Sequence, residues 1–129
     1  MAIGIDTSVV VRVLVGEPAA QARVARRRLE RAVEAGESVM VADIVLAEAY
    51  FALHHHYGVP KDEARSLLRE LTTSGVVSVQ PIESQGALDP DRGAGLVDRL
   101  IVTRYRSIRA LALTFERKHA ALEGAERLR

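Results

Sequence analysis

The sequence predicts an α/β fold, a three-layer α/β/α sandwich around a mostly parallel central sheet. Three observations point there. Several short segments are apolar nearly throughout, among them the β-branched Val76-Val77-Ser78-Val79 and the run Ala110 to Phe115. Between them run segments whose apolar residues recur every three or four positions, the period of an amphipathic helix. The two patterns alternate along the chain, as they do when helices cover both faces of a parallel sheet.

Each element has its own reason. Ile3 to Ile5 reads as a short buried strand, and Thr7 to Leu14 as the helix after it. Gly16-Glu17-Pro18 is a break. Residues 19–35 place Ala22, Ala25, Leu29, Ala32 and Val33 on one helical face, and Gly36 closes that helix. Ser38 to Val41 suits a strand, after which Asp43 is expected to cap a helix from Ile44 to about His56. Gly58-Val59-Pro60 ends it, and Lys61 to Leu71 sets Ala64, Leu67, Leu68 and Leu71 along another face. Ser74-Gly75 turns into the strand Val76 to Val79. Pro81 to Gly95 reads as loop with a short helical piece near Ser84 to Leu88, and Leu96 to Arg106 as a helix. Ala110 to Phe115 is expected to be a buried strand. From Glu116 a short helix leads to a last edge strand at Ala125 to Leu128.

The composition excludes several classes. At 129 residues the chain is one domain, 1–129, large enough to bury a core. Eighteen basic against 17 acidic side chains leave a net charge of +1, so any phosphate-binding face is local. Cysteine is absent, which removes disulfides and thiolate metal sites. No apolar run approaches the roughly 20 residues that cross a bilayer. No secretory signal is apparent, and a cytoplasmic protein is expected. Trp is absent and aromatics are few, which argues against base-stacking platforms.

Four acids stand in apolar company. Asp6 interrupts two apolar runs at the end of the first strand, the edge of a parallel sheet where functional groups gather. Its plain reading is an N-cap. Glu48 is the only charge between Ile44 and Leu53, with Ile44, Val45, Phe51 and Ala52 three and four positions away. That setting predicts a partly buried carboxylate. Asp98 lies in Leu96-Val97-Asp98-Arg99-Leu100-Ile101-Val102, and the adjacent Arg99 faces elsewhere on a helix. Glu116 follows the last long strand as Asp6 follows the first, and is also explained as a first-turn acid. Carboxylates gathered in one cleft repel unless a cation neutralises them. Without Cys or a regular His spacing, hard oxygen ligands point to Mg²⁺ or Mn²⁺. Such ions activate water for phosphodiester cleavage.

In this order and at these separations, GIDTSVVVRVLVGEP, VADIVLAEAYFAL, GLVDRLIV and LALTFERKHA resemble the PIN-domain ribonucleases, above all the VapC-type toxins of bacterial toxin–antitoxin pairs. The likeness covers essentially the whole chain. It implies a single PIN-like domain and a metal-dependent endoribonuclease whose clustered acids hold Mg²⁺ or Mn²⁺. Carried over, those catalytic and metal-binding acids are Asp6, Glu48, Asp98 and Glu116, the last beside the hydroxyl of Thr114. The resemblance also implies an RNA substrate, inhibition by a small cognate antitoxin, and a homodimer. Two positions depart from the family pattern. Gly95 stands where many relatives carry a further acid one turn before Asp98, and Glu116 where the acid is usually Asp. A PIN-like module that holds antitoxin or RNA without turnover is therefore the alternative.

Other features support or crowd this picture. Thr7 and Ser8 are placed to hydrogen-bond the Asp6 carboxylate or a metal-held water. His54-His55-His56 splay around a helix end and do not converge on one ion. Arg23, Arg26, Arg27, Arg28 and Arg31 form a basic helix interleaved with Glu30 and Glu34, a solvated or partner-facing surface. Arg99, Arg104, Arg106, Arg109, Arg117 and Lys118 are the better candidates to hold phosphates.

Overall fold

The computed structural model describes residues 1–90 and 94–129, so the part of the expected loop at 91–93 lies outside the described residues. The chain divides into two compact units, Met1–Gln80 and Pro81–Arg129.

In the first unit, β1 (Ala2–Ile5), β2 (Ser38–Ala42) and β3 (Val77–Gln80) form a parallel sheet in chain order. Ile5 pairs with Val41, and Val41 with Val79, so the three strands finish at one level. Helices α1 (Thr7–Val15) and α2 (Ala19–Glu34) connect the first two strands, and α3 (Asp43–His55) and α4 (Lys61–Thr73) the next two. The helical pairs are the crossovers that parallel strands require. The central strand buries Val39 and Val41, and α3 and α4 add Leu46, Leu53 and Leu68, all essentially without solvent contact. Gly16 and Gly36 end α1 and α2 in the left-handed region, where a side chain would be strained.

In the second unit a 3₁₀ turn (Ile82–Leu88) precedes α5 (Leu96–Ser107), and β4 (Ala112–Thr114) lies parallel to β5 (Ala125–Arg127) across the short α6 (Arg117–Ala120). The turn packs on α5, burying Leu88, Leu96 and Leu100.

The elements are those the sequence predicts, and the parallel sheet flanked by helices is the expected α/β architecture. Three details differ. The strands pair as two separate sheets among the described residues, three in one and two in the other. The strand expected over Ala110 to Phe115 is only three residues long and is not buried throughout. Ala112 and Thr114 point inward, while Leu113 is 59% and Phe115 71% exposed. Leu and Phe alternate there with small residues, so composition hid a period of two. Asp43 does not cap α3 from outside. Ala42 holds that position, and Asp43 is the first helical residue, buried, its Oδ1 accepting from the N–H of Ile44 at 2.9 Å.

Candidate active site

The carboxyl edge of the three-stranded sheet carries Asp6, and Glu48 on α3 is tied to the residue after it. Asp6 follows β1 directly with extended backbone and caps α1. Its Oδ1 accepts the N–H of Val9 at 3.1 Å and the hydroxyl of Ser8 at 2.6 Å. Those donors, Ser8 first and then Val9, hold the exposed Asp6 carboxyl below the ordinary value of 3.8. The side chain is therefore ionised at neutral pH. Thr7, the next residue, turns the other way and donates to Oε1 of Glu48 at 3.2 Å. That hydrogen bond ties the start of α1 to the middle of α3, and the two helices pack together. Asp6 and Glu48, 42 positions apart in the chain, thus flank one threonine.

Glu48 corrects the sequence reading in one respect. It is exposed, not partly buried. α3 buries Leu46, Ala49 and Leu53, and the apolar neighbours that suggested burial, Ile44 and Phe51, lie outside with Glu48.

The second unit carries the other two acids. Asp98 sits in the first turn of α5, half-exposed, and its Oδ1 is 3.8 Å from Nδ1 of His119 on α6. Arg99 faces elsewhere, as expected. His119 is buried, and its Nε2 has no hydrogen-bond partner among the described residues. Glu116 precedes α6 but does not cap it with its side chain. Its N–H donates to the Thr114 hydroxyl at 3.0 Å, so that hydroxyl fixes the backbone of Glu116. Within either unit taken by itself, no three His or acidic side chains gather to hold a cation, among the described residues.

The position of Gly95 is informative. It occupies the cap position of α5 at φ −68°, a conformation open to any residue, and a Cβ there meets nothing within 4 Å. No steric demand for glycine excludes an acid one turn before Asp98.

Three residues take places in the structure that the sequence reading did not give them. Asp43 is a buried acid at the same sheet edge as Asp6. The signal was present, since SVMVA followed by Asp43 repeats the strand-then-acid order of Asp6 and Glu116. His119 left no signal beyond an imidazole three residues after Glu116. Arg99, expected to hold phosphate, is buried instead. Its guanidinium donates to the carbonyls of Gly86, Ala87 and Asp89 and pins the 3₁₀ turn to α5. Arg106, Arg109, Arg117 and Lys118 are exposed, with Arg106 3.4 Å from Glu123. In the histidine run, Nδ1 of His54 meets the carbonyl of Val59 at 2.9 Å, while His55 and His56 are exposed.

The donor set suits a hard divalent cation. Asp6 and Glu48 offer exposed carboxylate oxygens oriented by hydroxyls, as ligands are oriented by the groups behind them. No helix among the described residues is long and apolar enough to cross a membrane. A family model described as PIN domain matches residues 3–124. No curated protein and no solved structure matches the chain.

Proposed function

The chain belongs to the PIN-domain family, a nuclease-type fold, and on that premise we propose that it is a metal-dependent endoribonuclease and the toxin of a type II toxin–antitoxin pair. The observation that supports the reading is that two adjacent hydroxyls at the start of α1 hold the two acids, Ser8 donating to Asp6 and Thr7 to Glu48. Asp6 and Glu48 would hold Mg²⁺ or Mn²⁺, and Asp98 and Glu116 are assigned to the same activity over the whole of residues 1–129. When bound, such an ion supplies charge neutralisation and a more acidic water. The chain supplies the rest. Ser8 and the N–H of Val9 keep Asp6 ionised and fixed in direction. Thr7 does the same for the orientation of Glu48. Arg106, Arg109, Arg117 and Lys118 are the cations available to phosphates of an RNA strand. A cognate antitoxin protein as inhibitor, a homodimer and a cytoplasmic location belong to the same reading.

Purified protein with Mn²⁺ is expected to cut single-stranded RNA internally, and chelation or Asp6→Asn is expected to stop it. Cutting that survives both treatments sinks the reading. Gly95 favours a second one, a PIN-like module that binds antitoxin or RNA without turnover. A Mn²⁺ titration separates the two, because a binder without turnover needs no measurable affinity for the ion.

A further inference from the structure

One face of α3 runs outward from the proposed site. Ile44, Glu48, Phe51 and His55 follow one another at helical spacing, and all four are exposed, Ile44 at 66% and Phe51 at 49%. The Phe51 and His55 rings lie nearly parallel, their centroids 5.7 Å apart and their planes 13° from each other. Tyr50 meets Phe51 edge-on at 6.0 Å. An aromatic stack thus stands one helical turn beyond the Glu48 carboxylate, with Phe51 and His55 exposed, a grouping that the scarcity of aromatics in the composition did not lead one to expect.

We propose that Phe51 and His55 form a stacking platform for an unpaired nucleobase of single-stranded RNA, positioning the strand beside Glu48. The proposal rests on the nuclease reading above and adds to it the residues that hold one base of the strand. Two arguments favour a base over a protein partner. A carboxylate sits in the middle of the stripe, and a protein covering it would desolvate a charge without an evident counter-ion. Two small rings also offer far less area than the roughly 800 Å² a side of a stable protein interface. A base, by contrast, needs one flat face, and any base stacks on an aromatic ring. His55 adds an imidazole at the outer end, able to donate to a phosphate or base edge. A paired helix keeps its bases inside and has none to offer, so the platform selects single strands, loops and ends.

The test uses the full chain with Asp6→Asn, which prevents cutting, and a single-stranded RNA carrying one 2-aminopurine, whose fluorescence falls on stacking. Quenching on binding is expected. Adding Phe51→Ala should remove most of it and weaken binding by about tenfold, the usual value of one stacked base. Phe51→Trp should restore both, and Phe51→Leu should not. Circular dichroism checks the fold, which a half-exposed ring does little to support. Unchanged affinity and quenching in Phe51→Ala overturn the platform, while cutting of RNA by the unsubstituted chain with Mn²⁺ keeps the nuclease reading standing. A Phe51→Ala chain that loses self-association, with RNA affinity lost only in step, assigns the face to a second copy and also overturns it. RNA that binds to no version of the chain overturns the platform together with the nuclease reading.

Discussion

Asp6 caps α1 and is proposed here as a metal ligand, and one pair of substitutions separates the two roles. As cap, it needs only an oxygen that accepts from Val9 and Ser8. As ligand, it needs a negative charge. Asn is as good a cap as Asp, so Asp6→Asn should change stability by less than about 0.5 kcal/mol. Ala offers no acceptor and should cost about 1 kcal/mol, a fall in melting temperature of about 3–5 °C for a domain of this size. Mn²⁺ binding should respond differently. Both variants should weaken it by at least about tenfold, because each removes one carboxylate from the ligand set. Differential scanning calorimetry and isothermal titration of Mn²⁺ on the same samples give both quantities. Acid titration adds a third check. The folded chain gives up the Asp6 proton more readily than the unfolded chain, so this contribution to stability is complete above pH 3.8 and disappears as pH falls through the lower folded value. In Asp6→Asn that part of the pH dependence should vanish. An Asn variant as destabilised as the Ala variant refutes the capping argument. An Asn variant that binds Mn²⁺ like the parent refutes the ligand.

Three further outcomes are expected. Gly95→Asp places a carboxylate in open space at the cap of α5, three residues before Asp98; it should stabilise by a few tenths of a kcal/mol and tighten Mn²⁺ binding, and a calorimetric titration showing weaker binding would argue against Asp98 as a ligand. Arg99→Met leaves the carbonyls of Gly86, Ala87 and Asp89 without their shared donor and should cost about 2–3 kcal/mol in urea unfolding, whereas a loss under about 0.5 kcal/mol would mean the guanidinium holds nothing. Partial burial raises the Tyr50 phenol above its ordinary 10.0, so its contribution is present below pH 10 and lost as pH rises above it; Tyr50→Phe should remove a phenolate transition above pH 10 in the ultraviolet, and an unchanged titration would refute the burial.

The elements were legible where one period dominated. α2 and α4 carry their apolar residues on a single stripe among charges, and the sequence located both within two residues. β1 to β3 were short apolar runs between breaks, and the sheet uses them as such. The failures came where both sides of an element are apolar. Leu111, Leu113 and Phe115 resemble core residues, but Ala112 and Thr114 are the ones buried, because small side chains face α5 and α6. α3 misled in the same way. Its apolar residues surround the helix, so Glu48 looked enclosed although it lies on the exposed side. A hydropathy pattern reports which residues tolerate burial, and only an asymmetric pattern also reports direction.

The candidate site was legible through a different signal, the order strand, acid, helix. That order admits a cap at Asp6, Asp43 and Glu116, and the three resolve differently. Asp6 caps with its carboxylate, Asp43 bonds its neighbour from inside the first turn, and at Glu116 the Thr114 hydroxyl takes the backbone N–H. The common element is position. Each acid stands where a strand hands over to a helix, and such junctions orient backbone N–H groups and short side chains toward one edge. Capping and the proposed metal binding therefore do not compete at Asp6. The two donors on Oδ1 restrict its rotation and favour its charged form, and both effects lower the cost of recruiting the carboxylate to a cation. A site built this way draws its rigidity from the same hydrogen bonds that begin the helix. On that account, Ser8→Ala should weaken Mn²⁺ binding without removing any ligand, while Thr7→Val should act through Glu48 alone.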